Sequence, residues 1–250
     1  MIATTLTSKK ELGIVAAQEG VQEIRRALAE KGKASIILAT GASQFDTLAA
    51  LCKYRDLDWQ SVTVFHLDEY IGLDEAHPAS FVRYLKQRFV SQVPDIKAFH
   101  AIDGLNDPEK ECERLKQLIR NETIDVAFIG IGENGHIAFN DPPADFSTKE
   151  PYLLVNLDEE CRRQQFGEGW FSSLDEVPKQ AISMSVSQIL KSSKIIVSVP
   201  DKRKAIAVKN TMTQCISPLY PSTALRNHAY CRMYLDESSA SLLSIKSNIL

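Results

Sequence analysis

Short apolar runs recur along this chain, each stopping at a polar loop and giving way to a helix-patterned stretch, and this alternation constrains the fold more than any other feature. Ala34-Ser35-Ile36-Ile37-Leu38-Ala39 runs into Thr40-Gly41-Ala42-Ser43 and then into a helix-like stretch from Gln44 to Tyr54. A second run, Val62 to Leu67, ends in Asp68-Glu69, and a third, Ile124 to Ile131, ends in Gly132-Glu133-Asn134-Gly135-His136. Ile195 to Val199 leads through Pro200-Asp201 into a helix beginning near Lys202, and Tyr230 to Leu235 reads as a late strand. Helical spacing also marks Lys9 to Lys31, where Leu12, Val15, Val21, Ile24 and Leu28 precede a capping Gly32. It marks Ser80 to Val90 as well, and Pro108 to Asn121 behind a capping Asp107. These units predict an α/β chain with a doubly wound, mostly parallel, Rossmann-like sheet in a single domain over 1–250. Ligands of such sheets sit outside the carboxyl ends of the strands, so the loops after the runs are the natural site candidates.

Composition narrows the function classes. At 44% hydrophobic and 24% charged residues, with a mean hydropathy of −0.16, the chain falls in the ordinary globular range. Its formal charge of −3 supplies no basic field for nucleic acid, so an anionic ligand needs a local site. The N-terminus lacks a signal-peptide pattern and no apolar stretch reaches membrane-spanning length, which predicts a cytoplasmic protein with no membrane partner. Five scattered cysteines, Cys52, Cys112, Cys161, Cys215 and Cys231, contain no C-x-x-C pair; they predict buried thiols in a reducing compartment rather than a zinc cage or a disulfide framework. Asp141 to Lys149 is the most irregular stretch and is expected to act as a lid.

Each of the three loops carries chemistry of its own. Thr40, Gly41, Ala42 and Ser43 offer one glycine and two hydroxyls where a strand enters a helix, which suits a phosphate; a plain helix cap would use the same residues. Asp68 is the candidate base of the second loop, with Glu69 as its support, although an Asp-Glu pair more often caps a helix or pairs with a cation. The third loop packs glycines around His136, which exchanges protons near neutral pH, and Asp141 stands five residues on, placed to orient or charge-stabilise the imidazole.

Phe65-His66-Leu67-Asp68-Glu69-Tyr70-Ile71-Gly72-Leu73, followed by Gly130-Ile131-Gly132-Glu133-Asn134-Gly135-His136-Ile137-Ala138-Phe139-Asn140-Asp141-Pro142, closely resembles the glucosamine-6-phosphate deaminase/isomerase family. Thr40-Gly41-Ala42-Ser43 upstream and Val199-Pro200-Asp201-Lys202-Arg203-Lys204-Ala205 downstream extend the resemblance over the whole α/β core. It implies conversion of glucosamine 6-phosphate and water to fructose 6-phosphate and ammonia, with no metal and no organic cofactor. It implies Asp68 as the carboxylate that moves a proton between C2 and C1, His136 as the ring-opening acid/base, and Asp141 as its acidic support, an aspartate where many members carry glutamate. Asn134 then orients His136 by hydrogen bonding, since an amide is no general base. Gly41, Ala42, Ser43 and Lys204 take the phosphate positions, with Ala42 replacing a family glycine, which requires either a negative φ there or strain at the alanine. The phosphate-binding arginine has two candidates, Arg162 and Arg163, because the surrounding stretch departs from the family pattern.

Two rival functions fit the same scaffold. A 6-phosphogluconolactonase also binds a sugar phosphate, but Asp68-Glu69-Tyr70-Ile71-Gly72-Leu73 and Gly135-His136-Ile137-Ala138-Phe139-Asn140 depart from the D-E-R and G-H-T-A-S of lactonases. A catalytically silent sugar-phosphate sensor is suggested by Ala42, Asn134 and Asp141, and opposed by retention of Asp68 and His136. The expected partner is a small phosphorylated amino sugar, with homo-oligomerisation left open.

Overall fold

The computed structural model describes residues 1–167 and 169–243; positions 168 and 244–250, the latter part of the domain expected over 1–250, lie outside the described residues. Seven parallel strands form the main sheet: β1 (Ile2–Leu6), β2 (Ala34–Leu38), β3 (Val62–His66), β5 (Ala98–His100), β6 (Val126–Ile129), β9 (Lys194–Val199) and β10 (Cys231–Asp236). Their order is β1-β10-β9-β6-β2-β3-β5. The chain winds from β2 towards β3 and β5 on one side, then returns to β6 and winds towards β9 and β10 on the other. The crevice between β2 and β6 is therefore the topological switch point.

The sheet is a continuous barrier between two apolar layers, which explains why its central strands read as unbroken apolar runs. Ile36 and Leu38 of β2 face Leu12, Ala16, Val21 and Ile24 of helix α1 (Lys9–Lys31), together with Leu48 of α2 (Phe45–Leu51). Ile37 faces the opposite layer, with Leu115 and Ile119 of α4 (Pro108–Ile119) and Val208 of α7 (Ala205–Thr213). This is the period-two alternation of a strand buried on both faces. Ser8 caps α1 by accepting a hydrogen bond from the Glu11 N–H, and Gly32 ends the helix at φ 66°. Asp107 caps α4 through the Lys110 N–H, with Pro108 in the first turn, as the sequence predicts.

Several elements differ from the expectation. A separate antiparallel sheet, β4 (Asp68–Tyr70), β8 (Gln180–Met184) and β7 (Tyr152–Asn156) in that order, sits beyond the switch point, so Asp68 and Glu69 belong to a short strand rather than to a loop. The helix expected over Ser80 to Val90 is α3 (Phe81–Leu85), continued as a wider π-helical turn over Lys86–Val90. β1 was hidden because Ala3-Thr4-Thr5 is polar and mostly exposed, as an edge strand allows. Helix α5 (Glu159–Gly167) and the four-residue α6 (Val186–Ile189) complete the fold. Among the described residues no helix is long and apolar enough to cross a membrane. The cysteines are all free, but only Cys161 and Cys231 are buried as expected; Cys52 and Cys112 are half-buried and Cys215 is exposed.

Gly20 sets the approach of α1 to the sheet, because a Cβ there would lie 2.0 Å from the Phe128 ring and 3.2 Å from Ile196. We expect Gly20→Ala to lower stability by about 1–3 kcal/mol through overpacking, measured by urea unfolding; an unchanged midpoint contradicts this packing.

Candidate active site

Three strand ends converge on one cleft at the switch point. Gln44, only 1% exposed, links them: its amide donates to the Ile129 carbonyl after β6 (3.3 Å) and to the Ser198 carbonyl of β9 (3.4 Å). The cleft is lined by Thr40, Gly41, Ala42 and Ser43 after β2, by Asp68, by Gly132, His136 and Ala138 after β6, and by Arg203 and Lys204 after β9. Phe81, Phe139, Gln164 and Gln165 close its sides.

At one end the 40–43 turn presents backbone. Gly41 has φ 89°, a left-handed value that favours glycine, and Ala42 lies outside that region, so replacing a glycine there costs no backbone strain. Among the described residues the N–H groups of Gly41, Ala42 and Ser43 donate to no protein acceptor, so they are available to an anion. The Gly41 carbonyl accepts from the Tyr84 hydroxyl at 2.9 Å, which holds the turn from behind. Lys204 is 6% exposed on the turn Lys202–Lys204 that leads into α7. Arg203 beside it is held by Glu133 of the histidine loop at 3.3 Å.

The carboxylic acid of Asp68 is 6% exposed, and no described group donates a hydrogen bond to it. Burial, with the neighbouring Glu69 charge adding to it, pushes its pKa up to about 8. Glu69 has a different task. Its carboxylate accepts from the Tyr70 N–H at 2.9 Å, the Ser80 hydroxyl at 2.7 Å and the Val82 N–H at 2.9 Å, tying β4 to the start of α3. His66 nearby is fully buried, and desolvation depresses it to about 3, so it stays neutral.

His136 is gripped from both sides. A Cβ on Gly132 would meet the imidazole Nε2 at 2.3 Å, so only glycine lets the ring lie there. Its Nδ1 meets Asp141 Oδ1 at 3.0 Å, and the Asn134 amide donates to the same oxygen at 3.0 Å. Aspartate is thus long enough for the contact. Burial alone would raise Asp141, but its hydrogen bond and charge interaction with His136, together with the Asn134 bond, hold it below the usual carboxylate range. Asn134 acts on His136 through the backbone rather than the ring, accepting from the His136 N–H at 3.0 Å. The loop passes through Ala138 at φ 49° and is pinned by the Asn140 amide, which donates to the Met184 carbonyl at 2.8 Å.

The two candidate arginines stand elsewhere. Arg162 donates to the Leu174 carbonyl at 2.6 Å and the Val177 carbonyl at 3.0 Å, locking the segment after α5, and Arg163 pairs with Glu159 on an exposed surface. Neither lines the cleft; Arg203, which sequence reading passed over beside Lys204, does. Its signal was present in Lys202-Arg203-Lys204, three adjacent cations entering a helix against the dipole preference. Residues 141–149, the expected lid, contribute nothing to the lining, and Gln164 and Gln165 of α5 cover the cleft instead. They are fastened by the Glu133 N–H to Gln164 (3.0 Å) and the Tyr70 hydroxyl to Gln165 (2.8 Å).

A Rossmann-like sheet with an unpaired acid, a carboxylate-supported imidazole and two cations around a backbone anion turn defines an α/β protein with one acid/base cleft for an anionic ligand. The chain belongs to the glucosamine-6-phosphate isomerase/6-phosphogluconolactonase family, whose model matches residues 7–233. It is 34% identical to the glucosamine-6-phosphate deaminase of Oenococcus oeni over 93% of this chain and 96% of that one, and 36% identical to the Bacillus pumilus protein of the same name over 94% and 96%. A solved monomeric glucosamine-6-phosphate deaminase superposes with a TM-score of 0.87 at 33% identity, covering 97% of this chain and 100% of that chain. A 6-phosphogluconolactonase from Shewanella baltica shares the fold at a TM-score of 0.77 and 16% identity, covering 94% and 97%.

Because Asp68 is raised in the folded state, the fold binds its proton between the ordinary carboxylate value and about 8, and stability falls as pH rises through that window. Asp68→Asn should therefore raise the melting temperature at pH 8.5 by about 2–6 °C, or roughly 1–2 kcal/mol, with little gain at pH 4. Equal effects at both pH values, measured by calorimetry, would refute the shifted acid. Gly132→Ala should displace the imidazole and remove most turnover while leaving phosphate binding in place.

Proposed function

We propose that the protein is an amino-sugar phosphate isomerase/deaminase that converts glucosamine 6-phosphate and water to fructose 6-phosphate and ammonia. The observation that carries this is the meeting of Asp68, His136, Lys204 and the 40–43 turn in one cleft, so that a single small sugar phosphate reaches all of them. The family motifs and the deaminases to which the chain is similar supply the substrate class.

The phosphate is anchored by the free N–H groups of Gly41 to Ser43, the hydroxyls of Thr40 and Ser43, and the charges of Lys204 and Arg203. Anchoring fixes the sugar carbons over the acid and the imidazole, which removes much of the entropic cost of alignment. His136, its ring oriented by Asp141 and Gly132, moves the proton that opens the sugar ring. Asp68 takes the C2 proton and returns it to C1 through an enolamine, after which water releases ammonia. A base whose pKa lies near the working pH is suited to both the taking and the giving of that proton.

The same reading takes residues 1–250 as one catalytic domain and, with all cysteines free, places it in a reducing compartment such as the cytoplasm. Arg162 and Arg163 then serve structure, not phosphate.

Ammonia release from glucosamine 6-phosphate, compared with galactosamine 6-phosphate and with hydrolysis of 6-phosphogluconolactone, tests this directly. Glucosamine 6-phosphate should be deaminated and the lactone left intact. Asp68→Asn should retain binding and lose about 10²–10⁴-fold in turnover, while Arg203→Ala should act chiefly on KM. Tight binding without ammonia release in the unaltered protein would point instead to a sensor.

A further inference from the structure

One side chain beside the cleft, Cys161, has no part in this reaction, and it forms a cluster with two that do. The side chains of His136, Asp141 and Cys161 each bring a donor atom within 4.8 Å of the other two: an imidazole nitrogen, a carboxylate oxygen and a thiol sulfur. They come from the histidine loop, from the segment after it and from α5. Asp141 Oδ1 is shared by His136 and Asn134, while Oδ2 is buried with no N–H or O–H donor, in a side chain only 8% exposed, and the Cys161 thiol is the further group that donates to this carboxylate. A desolvated anionic oxygen held by nothing stronger than a thiol is costly, and the nitrogen and the sulfur of the cluster lie within 4.8 Å of the carboxylate.

We propose that His136, Asp141 and Cys161 form an inhibitory binding site for one borderline-soft divalent cation of the Zn²⁺ type. Nitrogen, oxygen and sulfur are the donors such an ion takes, at about 2.0–2.3 Å in a tetrahedron, with a water completing the set. Mg²⁺ and Ca²⁺ prefer oxygen donors in larger number and fit poorly. Charge also matches: a dication with one carboxylate and one thiolate is neutral overall, the state a buried site tolerates best. On binding, the Cys161 thiol gives its proton to solvent, and a proton on His136 Nδ1 leaves to Nε2 or to solvent so that the Nδ1 lone pair faces the metal. Without metal, burial and the carboxylates of Asp141, Asp158 and Asp68 keep the thiol protonated and inert.

The ion is an inhibitor because it takes the place of the His136–Asp141 hydrogen bond. This inhibitory consequence rests on the proposed role of His136 in ring opening; the binding itself does not.

The test is titration of the full chain with Co²⁺, in a Cys215→Ser background that removes the exposed thiol. A cobalt–thiolate charge-transfer band should saturate at one equivalent and be displaced by Zn²⁺. Cys161→Ser should abolish the band and weaken Zn²⁺ binding at least about tenfold, Asp141→Asn should weaken it with the band retained, and Cys112→Ser should change neither. In parallel, Zn²⁺ should slow ammonia release, a chelator should restore it, and Cys161→Ser should raise the half-inhibitory concentration by the same factor. A band that survives in Cys161→Ser, absence of any band, or equal zinc sensitivity with and without Cys161 overturns the proposal. A band in a protein that releases no ammonia would instead overturn the deaminase function and leave the metal site standing.

Discussion

The rest of the site is arranged around a carboxylic acid, unpaired among the described residues, kept out of water beside the end of a central strand. Burying Asp68 works against stability, and the fold accepts it because the backbone there is held on both sides. β3 is flanked by β2 and β5, the Leu67 carbonyl accepts from the Met184 N–H at 2.6 Å, and β4 pairs with β8. Glu69, one residue on, spends its whole carboxylate on the loop and on the start of α3, so its negative charge sits beside Asp68 and reinforces the shift. A fully hydrogen-bonded acid and one with no donor among the described residues stand side by side, and the second is the one that faces the cleft.

Backbone strain falls at the same place. Among the described residues the non-glycine residues with positive φ are Ala138, in the histidine loop, and Asp201, in the turn that delivers Lys204. Each costs on the order of 1–3 kcal/mol and persists only where its surroundings over-determine it. For Asp201 these are the Asp236 carboxylate, which accepts its N–H at 3.1 Å, and an ion pair with Lys9 at the start of α1. For Ala138 they are the bonds of Phe139 and Asn140 to β8. The loops that place the imidazole and the lysine are thus fixed before any ligand arrives.

The sequence made the main sheet legible because strands buried on both faces must be continuous apolar runs, and the loops after β2, β3 and β6 stood out for the same reason. Asp68, His136, Asp141 and Lys204 were singled out through motif and position together, and Asp68, His136 and Lys204 line one cleft with Asp141 against the imidazole; Asp68 alone would have passed for a cap. The antiparallel sheet was not legible, since β4 is three residues long and β7 alternates burial weakly. Arg162 and Arg163 were misleading because a guanidinium is as well satisfied by carbonyl oxygens as by phosphate, and only three dimensions show that Leu174 and Val177 lie within reach. Cys161 read only as a buried thiol, and its nearness to Asp141 depends on how α5 docks.

The central claim is that the fold holds Asp68 as an acid poised near the working pH. Its carboxyl carbon, followed by ¹³C nuclear magnetic resonance and assigned by comparison with Asp68→Asn, should titrate with a midpoint near 8. A midpoint at about 4, the ordinary value for aspartate, would contradict the account.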